Sequence, residues 1–300
     1  MAVRAEAIIQ KPATITLATR MAAMLELTKP RITFMVVLSA LAGFCMATSG
    51  SVDWIRFLNF AIGISLLTSG CSALNQFIER DSDKLMRRTM RRPLPSAKLT
   101  PATALLCGVL TAVAGEAYLA FMVNGLTAVL GFCALASYVF LYTPLKQKTT
   151  ICTFIGAFPG ALPPLLGWAA ASGQIGWGGI AMFAILFLWQ FPHFHAISMM
   201  YAEDYGRAGI KMLPVVEPDC KSTARQIVFY AAALLPVSVL PYVLGMSGVV
   251  YLIAAILLGA GYLAMSIRTA RTRTRLDARR LLKTSVIYLP LIYILMVLTA

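Results

Sequence analysis

Apolar residues in this chain neither alternate nor keep to one helical face; they run on in long blocks. Nine blocks, at about 32–50, 57–78, 101–119, 123–142, 151–170, 177–200, 226–245, 248–267 and 282–299, are nearly free of charge. A helix rises ~1.5 Å per residue, so ~20 apolar residues cross roughly 30 Å of hydrocarbon. The pattern predicts nine transmembrane helices in an all-α integral membrane protein. Gly125–Thr127, Ser172–Gln174 and Met246–Gly248 mark short turns between blocks. Two other connections, 80–100 and 201–225, are long and polar, and long connections between rigid elements are where function gathers.

Composition agrees. The 300 residues are 59% hydrophobic and 13% charged, against roughly 45–50% and 25% in soluble domains. A soluble globule is excluded. The net charge of +14 raises the question of nucleic acid, and its distribution answers it. With the N-terminus inside, 25 of the 26 Lys and Arg fall in inside segments and only Arg56 falls outside. Such a bias orients the chain with a cytosolic N-terminus and a C-terminus on the outer side. The basic loops then meet lipid headgroups or an anionic substrate, with no nucleic acid partner. Both long loops follow an apolar helix, open with carboxylates and continue through basic residues, a hint of weak internal duplication.

Residues 1–25 read as a cytosolic lead-in without a cleavable apolar core, ahead of one transmembrane domain over 26–300. The expected location is a bacterial inner (plasma) membrane. A mitochondrial presequence is disfavoured because Glu6 and Glu26 interrupt it. The six cysteines are scattered, with no CxxC, and read as small buried hydrophobes.

The second block ends on NQFIERDSD, Asn75 to Asp83. At roughly 100° per residue, Asn75, Glu79 and Asp83 lie on one helical face, spread over about 12 Å of axis. Asp81 points the opposite way and Arg80 flanks the face. Carboxylates at that depth are costly unless paired or metal-bound. Mg²⁺ suits the set, since it takes one or two carboxylates and completes its shell with phosphate oxygens and water. A second acidic group, Glu203 and Asp204, ends the sixth block and is followed by Arg207 and Lys211. Two acidic clusters ringed by cations form a site for a metal-bound diphosphate: carboxylates hold the metal, and cations stabilise the leaving group. No P-loop pattern is present.

Five stretches, LTKPRIT (27–33), NQFIERDSDKLMRRTMRRPLP (75–95), YTPLK (142–146), WQFPHFHAI (189–197) and EDYGRAGIKMLPV (203–215), resemble the intramembrane prenyltransferases of the UbiA superfamily. Within it they are similar to the branch that farnesylates protohaem IX. The resemblance covers residues 25–220 by motif and the last three helices by topology. It implies a nine-helix bundle around a central cavity open to lipid on one side, and a transfer of the farnesyl group of farnesyl diphosphate to a vinyl group of haem B, with water addition, giving haem O and diphosphate, with Mg²⁺ as cofactor. By position it implies that Asn75, Glu79 and Asp83 form the first metal–diphosphate motif. Asp204, with Glu203, forms the second. Here that second motif, often D-x-x-x-D, has Tyr201 and Tyr205 around one Glu-Asp pair. Downstream haem-processing or oxidase-assembly proteins are the implied partners.

Lys146 is expected at the diphosphate, on the resemblance and on the charge bias alike. Arg80, beside the acidic stripe, Arg87 and Lys211 join it as candidate diphosphate contacts. Lys29 and Arg31 read as interfacial anchors, and Glu116 as interfacial near the outer end of its helix. His193 and His195 are the two histidines, inside a helix after Pro192. Two residues apart, they point about 160° from each other, so both cannot face one haem. His193 is expected to face the cavity, ligating iron or contacting a propionate. Two rivals are an aromatic-ring prenyltransferase, for example of 4-hydroxybenzoate, and an ion-coupled transporter. The transporter requires polar residues continuing to the outer face, where almost none occur.

Overall fold

The computed structural model describes residues 16–48 and 50–300; residues 1–15 of the expected lead-in, and Ser49, lie outside the described residues. Among the described residues the secondary structure is helical throughout. In chain order the helices are α1 (Leu17–Leu27), α2 (Pro30–Ala47), α3 (Trp54–Lys84), α4 (Pro101–Met122) and α5 (Gly125–Ala136). A π-helical turn, Ser137–Tyr142, leads into α6 (Thr143–Leu145). Then come α7 (Cys152–Ser172), α8 (Trp177–Met200), α9 (Ala202–Arg207), α10 (Leu213–Val216), α11 (Lys221–Val237), α12 (Leu240–Val243), α13 (Val249–Thr272) and α14 (Arg275–Leu298). Nine spans among the described residues are long and apolar enough to cross a membrane, so the protein is a multi-pass membrane protein.

Local signals explain most boundaries. Asp53, Thr100, Asn124 and Thr274 each accept a backbone N–H of the helix they open, a cap worth ~1 kcal/mol. The expected turn at Gly125–Thr127 is instead the first turn of α5, because Asn124 caps it and the chain reverses at Val123–Asn124. α3 runs six residues past the predicted end, to Lys84, and carries the whole polar stripe in regular helix. α14 starts at Arg275, well inside the basic run expected as a loop. Buried Asp277 makes this tolerable by accepting Arg268 at 3.1 Å and Arg280 at 2.8 Å.

The helices pack as two groups. One core, including Phe44, Phe60, Ile64, Leu67, Leu119 and Leu166, joins α2, α3, α4, α5 and α7. The other, including Met182, Ile185, Ile227, Tyr251, Tyr262 and Tyr288, joins α8, α11, α13 and α14. Lipid is as apolar as leucine, so helix association relies on close packing. A Cβ on Gly43 would collide with the Pro164 carbonyl, and one on Gly167 with the Ala40 carbonyl, so the α2 and α7 backbones touch directly. Pro159, Pro163 and Pro164 lie within α7 and Pro192 within α8. Each removes a backbone donor that neighbouring helices must compensate. The connections 85–100, 146–151 and 201–220 meet at one end of the bundle, called here the basic end. There the Lys211 N–H donates to the Lys146 carbonyl at 2.8 Å, and the Arg88 N–H to the Asp204 carboxylate at 3.4 Å.

Candidate diphosphate site

The site is built on the last three turns of α3. Asn75 and Asp83 are buried, and Glu79 is nearly so. Each oxygen-bearing side chain of the stripe meets a different cation. Lys29 Nζ donates to Asn75 Oδ1 at 2.7 Å, Lys146 Nζ to Glu79 Oε1 at 2.6 Å, and Arg92 Nη1 to Asp83 Oδ2 at 2.7 Å. The three cations come from separate segments, and each is delivered by a local device. Lys29 sits between α1 and α2 in the left-handed region, φ 48°, before Pro30, which starts α2. That bend turns its side chain inward, and Gln76 locks it by donating to the Leu27 carbonyl at 3.0 Å. Lys146 follows the π-helical turn, a feature common at functional sites. Within that region Thr143 Oγ1 accepts from Asn75 Nδ2 at 3.3 Å and donates to the Tyr138 carbonyl at 2.8 Å. Arg92 belongs to the loop after α3, where Thr89 Oγ1 donates to the Asp83 carbonyl at 2.9 Å.

Electrostatics couple these groups. Burial disfavours the Lys146 charge, yet the Glu79 carboxylate beside it holds its pKa well above the ordinary lysine value. It is therefore a permanent cation. Lys146 and Arg92 offset the Glu79 and Asp83 carboxylates, and the Lys29 amine is a further donor that an anion can meet. Asp83 Oδ1 is buried without a hydrogen-bond partner. An orphaned anionic oxygen beside hard oxygen donors fits a divalent cation. Among the described residues no three His, Cys, Asp or Glu gather closely enough to hold a metal by themselves. The donor set suits Mg²⁺ supplied together with phosphate oxygens.

Asp204 is buried and bonded to Arg207 and to the Arg88 N–H. Met86, Tyr205, Ala208, Ile210 and Met212 form an apolar cluster that pins this second motif under the end of α3. Arg88 reinforces it, donating to Tyr205 Oη at 3.1 Å and lying over the Tyr201 and Tyr205 rings.

Other expected residues lie apart from this pairing. Glu203 is not with Asp204: its side chain is 74% exposed and faces Arg275 at 3.5 Å, since neighbours on a helix diverge by about 100°. Arg80 is spent on its own helix, donating to the Phe77 carbonyl at 2.8 Å and facing Asp81. Arg87 is exposed, with no ion pair among the described residues; Lys211 reaches the site through its backbone while its side chain is exposed. Lys29 is no anchor but part of the stripe. Glu116 is half-buried with Oε2 enclosed near Gly131. His193 Nδ1 lies 2.7 Å from Ser285 Oγ on α14, and the ring stacks on Trp189. His195 pairs with Gln226 on α11 at 2.8 Å. Lys29 and Arg92 are the residues that sequence reasoning missed. Nothing in the sequence distinguishes Lys29 from an interfacial anchor, and Arg92 is one of four arginines in RRTMRR.

Directly beyond the stripe lies an apolar cavity of about 130 Å³. Ile32 and Val36 of α2, Ile64, Leu67, Thr68, Cys71 and Ser72 of α3, Tyr138 of the π turn, and Pro163 and Leu166 of α7 are among its walls. Ile32 at its rim is 57% exposed, so the cavity opens sideways towards lipid.

Similarity to known proteins accords with this arrangement. A protoheme IX farnesyltransferase of Solibacter usitatus (strain Ellin6076) is 51% identical over 91% of this chain and 97% of its own length. One from Koribacter versatilis (strain Ellin345) is 45% identical over 91% of each. The fold resembles that of a digeranylgeranylglyceryl phosphate synthase, TM-score 0.79 at 16% identity over 93% of this chain and 98% of that one. It also resembles a UbiA homologue from Archaeoglobus fulgidus bound to GPP and Mg²⁺, TM-score 0.67 at 15% identity over 91% and 99%. The model of the UbiA prenyltransferase family matches residues 36–289, and the chain belongs to that family.

Proposed function

We propose that the protein transfers the farnesyl group of farnesyl diphosphate to a vinyl group of haem B, with addition of water and release of diphosphate. The observation that carries the reaction class is the cation-paired stripe Asn75–Glu79–Asp83 opening straight onto an apolar, lipid-facing cavity. The haem acceptor follows from the relatives at 51% and 45% identity, both named protoheme IX farnesyltransferase. An aromatic-ring acceptor has no comparable support.

In this reading Lys29, Lys146 and Arg92 receive the diphosphate. Asn75, Glu79, Asp83 and Asp204 would hold Mg²⁺, which would supply positive charge to the phosphate oxygens. Exposed Glu203 is left out of that set. The allylic C–O bond breaks with its electron pair going to diphosphate. The vinyl π electrons then form the new C–C bond to farnesyl C1. Water oxygen bonds the remaining vinyl carbon, and its second proton leaves to solvent. An apolar cavity keeps bulk water from the allylic cation before the vinyl group reaches it. A haem contact by His193 would use Nε2, the nitrogen left after Nδ1 meets Ser285. The basic end faces the cytosol of a bacterium, and the C-terminus lies on the outer side of its plasma membrane.

The test is incubation of purified protein with farnesyl diphosphate and Mg²⁺ plus either haem B or 4-hydroxybenzoate, with products read by mass. A farnesylated, hydrated haem is expected; prenylation of the benzoate alone would overturn the acceptor assignment.

A further inference from the structure

The apolar cavity has a near end and a far end. Ser72, Tyr138 and Ile32 lie near the stripe, while Ile64 and Leu166 lie at the other end, both almost completely buried. Beside Leu166 the α2 and α7 backbones touch, at Ala40–Gly167 and Gly43–Pro164, too closely for a Cβ to fit between them. Phe44 and Phe60 pack in one core with Ile64 and Leu166. We propose that this closed end measures the prenyl chain, with Ile64 and Leu166 restricting the donor to three isoprene units. The inference rests on the farnesyl-transfer reading above and adds the residues that set donor length.

The lengths agree. Asn75 and Ile64 are eleven residues apart on the one continuous helix α3, or about 16 Å at ~1.5 Å per residue. An extended isoprene unit has four carbon–carbon bonds of ~1.5 Å, which zigzag to roughly 5 Å. Two units therefore span about 10 Å, three about 15 Å and four about 20 Å. With C1 held level with Asn75, three units reach the stop. A fourth would have to enter the α2–α7 backbone contact. The wall residues Ile64, Leu67, Thr68, Cys71 and Ser72 keep the helical i, i+3, i+4, i+7, i+8 spacing, so the groove runs parallel to α3 and its length is measured along that axis.

The experiment is an internal competition. Haem B and Mg²⁺ are supplied with equimolar ten-, fifteen- and twenty-carbon allylic diphosphates, and the haem products are separated by mass. Product ratios do not depend on how much of a variant folds. Ile64→Ala/Leu166→Ala removes six side-chain carbons, slightly more than one isoprene unit. It should raise the twenty- to fifteen-carbon product ratio by about tenfold or more, since a single methylene in an apolar pocket discriminates roughly 10–200-fold. Leu166→Phe should move the ratio the other way, favouring the ten-carbon donor. If both variants keep the unsubstituted protein's ratios, the tail leaves sideways past Ile32 and the ruler is wrong, while haem prenylation stands. If the unsubstituted protein yields no prenylated haem from any donor, the underlying reading itself fails.

Discussion

The Lys146–Glu79 pair offers a test that separates a structural role from a chemical one. The two side chains are 13% and 12% exposed and meet at 2.6 Å. Lys146→Met removes the ammonium and leaves a buried carboxylate without its hydrogen-bonded counter-charge, Lys29 and Arg92 acting on it only at longer range. Breaking a buried pair in this way costs about 3–5 kcal/mol, whereas replacing both partners with neutral groups of similar shape is close to neutral. Lys146→Met should therefore lower the unfolding midpoint in detergent by an amount on the order of 10 °C, at ~2–4 °C per kcal/mol. Glu79→Gln/Lys146→Met should recover most of that loss. Turnover should not recover with it, because the double variant lacks both the carboxylate proposed to hold Mg²⁺ and the cation proposed for the leaving diphosphate. Removing one preorganised electrostatic contact typically costs about 10²–10³ in rate, so the double variant should lose at least that much. The assays are thermal unfolding and haem farnesylation on the same preparations. Two results refute the reasoning. One is a Lys146→Met protein as stable as the parent. The other is a double variant whose turnover returns together with its stability, which would make the pair structural only.

Three further outcomes are expected. Asn75→Ala and Asp83→Ala should each reduce turnover by about 10²-fold or more while the protein still inserts in the membrane; membrane fractions with unchanged turnover would contradict their role. Glu203→Gln should leave turnover within about threefold, since an exposed pair is worth only ~0–1 kcal/mol; Asp204→Asn should be far more damaging, and equal effects would place Glu203 back at the metal. His193→Ala should weaken haem B binding in a spectral titration without changing farnesyl diphosphate affinity, and an unchanged haem titration removes His193 from the acceptor site.

Some of this protein was legible without coordinates. Crossing a bilayer demands ~20 uninterrupted apolar residues, and that constraint is local, so all nine spans could be read directly from the chain. The stripe Asn75–Glu79–Asp83 was equally legible, because helical periodicity alone puts these three on one face. What faces that stripe was a different matter. Lys29 lies 46 residues before Asn75, and Lys146 lies 67 residues after Glu79. A lysine near a helix end reads the same whether it snorkels to headgroups or turns into a site. Only the αL junction before Pro30, the π-helical turn and the path of the loop carrying Arg92 decide between them. Arg80 and Glu203 show the converse: each is close in sequence to an acidic motif, yet its side chain points off its helix in another direction, towards Asp81 and Arg275. The end wall of the cavity likewise belongs to no single segment. It exists because glycines on α2 and α7 let two backbones meet, and that depends on how two helices far apart in the chain are packed.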